Sequence, residues 1–246
     1  MSKNALRLGT LVLTSAAVLG AGGASASAGT PATSPASLST IQAKAAAAIT
    51  LRVNDLNAAI AKVNAGKDLG ADAPQLASYL QADIDPLQAL GQKIAADTTV
   101  AEAQADAATI YINFRVLALV LPAAGVAAVA DGIDVTAIPT LTTFSTKAQS
   151  KVNPANQAAL QPLIDDLNAQ IAAATNATSG LATSVLGDTP AQWNANHAIL
   201  APAAGSVHTA VAGIAKARSD VQQIRAYFKS TKTAPPTAPS TTTTTT

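Results

Sequence analysis

Two histidines, one tryptophan and a set of aspartates are the side chains here that could do chemistry. His197 and His208 stand eleven residues apart. On one helix, eleven steps of about 100° return to nearly the same face, but a rise of ~1.5 Å per residue separates the rings by ~16 Å. They cannot share a metal ion, since a helix presents paired His ligands at i and i+3 or i+4. Asp165–Asp166 and Asp83/Asp85 each diverge to different helix faces, so neither makes the facing carboxylate pair that glycoside hydrolysis needs. There is no G-x-S-x-G, no Gly-rich phosphate loop and no Cys, so nucleophilic and thiol chemistry have no carrier. No catalytic, cofactor-binding or metal-ligating residue is assigned, and the chain reads as non-enzymatic.

Two clusters could bind rather than react. Trp193-Asn194-Ala195-Asn196-His197 is the densest polar and aromatic run. With Trp193 and His197 one turn apart on a helix, the rings share a face, a patch on which a glycan could stack. The competing reading is a Trp that anchors a helix start, with Asn194, Asn196 and His197 serving local backbone groups. Tyr111-Ile112-Asn113-Phe114-Arg115 is the second cluster. Arg115 is flanked by apolar residues, so partial burial would demand a carboxylate or backbone carbonyls. Tyr111, Arg115 and Asp131 are therefore expected to be buried structural polar groups, with Asp131 or Asp134 as the partner of Arg115.

Long helices must carry these residues. Ala dominates the chain and only 3% is aromatic, which favours helices packed closely through small side chains over sheets. The spacing of Ile49, Val53, Leu56, Ile60 and Val63 predicts a helix over 38–65, closed by Gly66 and Gly70. Asp72 caps a helix over 73–96 that Pro86 should kink or break. Thr99-x-x-Glu102 is a capping box for a third helix. That helix runs into Phe114–Leu121, where β-branched residues leave helix and extended strand both open. Val116 to Ala130 is apolar but broken by Pro122 and Gly125, too short and interrupted for a membrane span. Helix is expected again over 123–152 with a break near Pro139, from Asn153-Pro154 to 178, and from Pro190 to 229. Leu160, Leu163, Leu167, Ile171 and Ala174 mark the seam of the second of these.

The chain also echoes itself. Asp55-Leu56-Asn57-Ala58-Ala59-Ile60-Ala61 matches Asp166-Leu167-Asn168-Ala169-Gln170-Ile171-Ala172 at six of seven positions. Each copy is followed by Leu-Gly, an Asp-x-Pro and a second Pro twelve residues on: Pro74 with Pro86, and Pro190 with Pro202. Either this is coincidence in an Ala-rich chain, or a helical hairpin has been duplicated.

The ends fix the expected compartment. Lys3 and Arg7, the apolar run Leu8–Leu19 and two overlapping A-x-A sites form a secretory signal peptide over 1–28, cut after Ala26 or Ala28. Removing it leaves 13 basic against 14 acidic residues, a net charge of −1, which offers nothing to nucleic acid or an anionic membrane. Without Cys the exported product has no disulfides, so a packed core must stabilise it. Residues 29–37 read as a flexible linker. Residues 230–246, Pro/Thr-rich and ending in six Thr, cannot bury enough surface to fold.

The runs Tyr111-x-x-x-Arg115-Val116-x-x-Leu119-x-x-Pro122 and Pro190-Ala-x-Trp193-Asn-Ala-Asn-His197 resemble exported all-helical proteins of GC-rich Gram-positive bacteria. The resemblance covers most of residues 38–229. It implies an all-α fold and an exported compartment, with no activity and no functional residue to carry over. The expectation is an all-α antiparallel bundle of about five or six helices over 38–229. Its role is that of a secreted or envelope-associated interaction module with an extracellular or envelope partner, no cofactor and no membrane span after signal cleavage. The alternative is a protein binding a small ligand or envelope polymer in a groove near Trp193 and His197.

Overall fold

The computed structural model describes residues 36–66, 68, 69 and 72–233. The expected signal peptide, the linker up to residue 35 and the tail from 234 onward lie outside the described residues. Among the described residues every regular element is helical.

Helix α1 (Leu38–Ala65) starts where its pattern predicts, because the Ser37 hydroxyl accepts from the Thr40 amide. The helix expected over 73–96 is two, α2 (Ala73–Gln81) and α3 (Ile84–Ala96), and the break falls just before Pro86, which sits in the first turn of α3. Proline there meets no lost hydrogen bond. Asp72 precedes α2, but its side chain makes no capping hydrogen bond. Antiparallel packing of α3 on α1 rests on two contacts. Gln42 Nε2 donates to the Ile94, Ala95 and Asp97 carbonyls, and Gly91 faces Ile49.

α4 (Val100–Thr109) opens on the expected capping box. The Glu102 amide donates to Thr99 Oγ1, and the Thr99 amide donates back to Glu102 Oε2. Beyond α4 the chain stays helical through 114–121, where helix and strand were both open. It widens there into two π-turns, π1 (Ile110–Phe114) and π2 (Val116–Val120), around Arg115. It continues through α5 (Leu121–Gly132), a third π-turn π3 (Ile133–Ala137) and α6 (Ile138–Gln149). The break expected near Pro139 is that third π-turn, with Pro139 in the first turn of α6. Val100–Gln149 thus forms one 50-residue rod, longer than its apolar centre suggested. By length and composition it could cross a membrane, yet 61% of its most apolar window is buried inside the bundle, as in a core helix.

α7 (Gln157–Thr178) starts three residues later than expected. Asn153 spends its side chain on a turn, accepting from the Ala155 and Asn156 amides. Ile164 joins Leu160, Leu167 and Ala174 in the seam, while Leu163 and Ile171 are only half-buried. A short α8 (Leu181–Leu186) comes after Gly180, whose φ of 69° is the left-handed turn glycine adopts without strain. The single helix expected over 190–229 is split. α9 (Pro190–Ala195) ends at Asn196, and α10 runs Ala201–Thr233, four residues past the expected end.

The buried residues form two clusters. One gathers α1, α2, α3, α5 and α8 around Leu56, Leu80 and Leu87. The other gathers α6, α7 and α10 around Leu160, Leu167 and Ile224. α7 and α10 pack antiparallel and close, since a Cβ at Gly213 would lie 3.3 Å from the Gln170 carbonyl oxygen. Leu56 and Leu167, equivalent in the internal repeat, are both fully buried. In both copies the helix entered at the Asp-x-Pro breaks, and the second proline starts a new helix that packs against the long one. This is the arrangement a duplicated hairpin would leave.

Candidate functional site

Arg115 is the chain's one described non-glycine residue at positive φ, with φ 49° and ψ 30°. A left-handed arginine is strained by about 1–2 kcal/mol, so its surroundings must hold it there. They do so twice. Its own carbonyl accepts from the Leu119 amide at 2.7 Å, with longer contacts from Ala118 and Val120. Its Nε donates to Asn194 Oδ1 at 2.7 Å, and its guanidinium carbon lies 4.6 Å from the centre of the Trp193 ring. Asn194 Nδ2 in turn donates to the Ile112 carbonyl at 3.0 Å. A π-turn leaves carbonyls without helical partners, and Asn194 serves one of them.

The two binding clusters separated by some 80 residues are therefore one site. Trp193 is half-buried, and the His197 ring centre sits 4.2 Å from its own at 39°. His197 lies beyond the end of α9, so the rings meet by a turn of chain and not by the expected helical register. Asn194 ties α9 to π1, whereas Asn196 accepts locally from the Ala198 amide. His208 is on α10 and takes no part. Because the helix breaks at 196–200, the ~16 Å helical separation inferred for the two rings does not apply. Among the described residues no group of His, Asp and Glu is arranged to hold a metal ion.

The expectations for the buried polar set need two corrections. Tyr111 is 50% exposed, because the wide π-turn swings it outward, and its ring is covered only by Arg52, whose Cζ lies 4.6 Å from its centre. Arg115 pairs with Asn194 and Trp193, not with Asp131 or Asp134. The π-turn and the left-handed backbone aim it at α9, while the two aspartates sit further along the rod. Asp131 is buried, as expected, at 8% exposure.

Ile112, whose carbonyl Asn194 holds, is 48% exposed, and Leu117 on π2 is 45% exposed. The concavities lined by Asp72 and Thr178, and by Pro139 and Phe144, contain neither Trp193 nor His197.

No family model, curated protein or solved structure matches this chain.

Three buried or half-buried groups gave no clear signal in the sequence. Arg52, at 7% exposure on α1, donates from one terminal nitrogen to the Ala48 carbonyl, and its Nε has no partner. Burial pushes Asp83 up to about 6 and, with Asp83 and Asp188 adding repulsion, Tyr79 up to about 12. The i, i+4 spacing of Tyr79 and Asp83 across the end of α2 was the available sign.

Proposed function

We propose that the protein is an exported, envelope-associated, non-enzymatic module that docks a protein partner on the face formed by π1, π2 and α9. The observation that carries this reading is the meeting of Arg115, Trp193, Asn194 and His197 beside Ile112, which is 48% exposed. Tyr, Trp and Arg are the residue types that dominate binding energy at protein interfaces, ringed by apolar contacts that exclude water. A left-handed arginine locked by two hydrogen bonds and a ring presents that face already ordered, which lowers the entropic cost of association. The signal-like segment at 1–28 supports export. A ligand groove is the second reading, and it rests on the Trp193–His197 ring contact alone.

The test is a photo-reactive residue in place of Ile112, expressed in the native host together with a Trp193→Ala version. Support is one discrete cross-linked species in the envelope fraction that disappears with Trp193→Ala, on a chain whose N-terminus begins at Ser27 or Gly29. A cytosolic product with Met1 intact, or cross-linking that ignores Trp193, would overturn the proposal.

A further inference from the structure

At the junction of α2, α5, α7 and α8 lies a cavity of about 150 Å³ lined by Asp72, Gln75, Asp131, Asp134, Thr178 and Thr183, among others. Three carboxylates face one small space. Asp134 is engaged, since the Thr178 hydroxyl donates to its Oδ1. Asp72 makes no side-chain capping bond, and Asp131, at 8% exposure, has no hydrogen-bond partner. The ion pair among the described residues, Lys93–Asp106, is elsewhere, and no described Lys, Arg or His lines the cavity.

A buried carboxylate without donor or counter-charge is costly when ionised. The mutual repulsion of Asp72, Asp131 and Asp134 adds to that cost, and burial with these neighbours pushes Asp131 up to about 6. A fold that needed only stability would place an apolar residue or an amide at 131. What the cavity lacks is a positively charged hydrogen-bond donor.

The kind of cation is set by size and spread. A metal ion needs its oxygen ligands ~2.0–2.6 Å from one point, and these carboxylates do not form such a group. A cavity of ~150 Å³ holds a molecule of about six non-hydrogen atoms, the size of benzene. Leu76 and Leu186 supply apolar wall for methylenes. Two unengaged carboxylates lining one small space beside that apolar wall fit two ammonium groups joined by a short alkyl chain. We propose that this cavity is a binding site for a small alkyl diammonium ion, with Asp131 and Asp72 as its anchoring carboxylates.

This site shares no residue with the Trp193 face, so either reading can fail without the other. The test titrates the full chain with 1,4-diaminobutane by calorimetry at neutral pH and low salt, with calcium chloride as the competing probe. Wild type should bind one equivalent. Asp131→Asn and Asp72→Asn should each bind about tenfold more weakly or worse, because each loses a charge-assisted hydrogen bond. Thermal midpoints at or above that of wild type in the Asn variants separate loss of ligand from loss of fold. Diamine should raise the wild-type midpoint and leave that of Asp131→Asn unmoved. Three results would overturn the proposal: no saturable binding up to ~10 mM diamine, an affinity indifferent to both substitutions, or calcium binding that displaces the diamine.

Discussion

Replacing Asp131 by Asn should make the protein more stable at neutral pH and leave it unchanged in acid. In the folded chain Asp131 holds its proton up to about pH 6, against 3.8 as the ordinary value, because burial and the Asp72 and Asp134 carboxylates oppose its charge. Between those two values the folded state binds more protons than the unfolded state, so stability falls as pH rises through the window and stays low above it. Raising the carboxyl from 3.8 to about 6 corresponds to roughly 3 kcal/mol. Water reaching the group through the cavity screens part of this, so the gain expected for Asp131→Asn is ~1–3 kcal/mol at about pH 7.5, or roughly 3–10 °C for a domain of this size. Near pH 2.5, below both values, the carboxyl is neutral in both states and the gain should vanish. Urea unfolding tracked by far-ultraviolet circular dichroism, without diamine, measures both. An equal gain at the two pH values would mean the effect is not electrostatic. A loss at pH 7.5 would mean the carboxylate is paired after all.

Leu56→Ala and Leu167→Ala, at equivalent fully buried positions, should each cost ~3–5 kcal/mol in chemical denaturation. Leu51→Ala, at a residue 51% exposed, should cost under ~0.5 kcal/mol. Comparable losses at Leu51 and Leu56 would refute the placement of the α1 seam. Thr99→Ala removes one half of the capping box and should cost ~1 kcal/mol, with faster amide exchange confined to the first turn of α4; unchanged exchange there would contradict it. Gly213→Val should destabilise by ~1–3 kcal/mol, because its side chain must push the Gln170 carbonyl and Ala174 away. The same substitution at Gly205, which faces open space, should cost less. The reverse order would mean that α7 and α10 do not approach at Gly213.

The local and repetitive features could be read from the chain itself. The span of α1 came from apolar spacing and its caps, the start of α4 from Thr99-x-x-Glu102, and the burial of Leu56 and Leu167 from helical seams. These depend on contacts within a few residues or on a stripe that any helical partner would cover. Where several local signals compete, sequence pattern misleads. Asn153-Pro154 has the form of a cap, but Asn153 closes a turn and α7 waits for Asn156. The break before α10 is hidden because Ala-rich sequence masks an interruption where the Asn196 side chain closes a turn by accepting from the Ala198 amide.

The site depended on the tertiary fold. Both of its halves, around Tyr111–Arg115 and Trp193–His197, stood out by composition, yet nothing local says that they touch. Their meeting requires two consecutive π-turns and a left-handed Arg115, a conformation that single-residue preferences disfavour and that the Arg115 carbonyl's hydrogen bonds and the Asn194 and Trp193 contacts offset together. The same holds for the acidic cavity: Asp72, Asp131 and Asp134 come from two separated stretches of chain, and they line one space only once α2, α5 and α8 have packed. Helical periodicity and capping are properties of neighbours in sequence, so the chain by itself determined its helices. Burial of charge and the pairing of distant side chains are properties of neighbours in space, so the packing alone decided which of them meet.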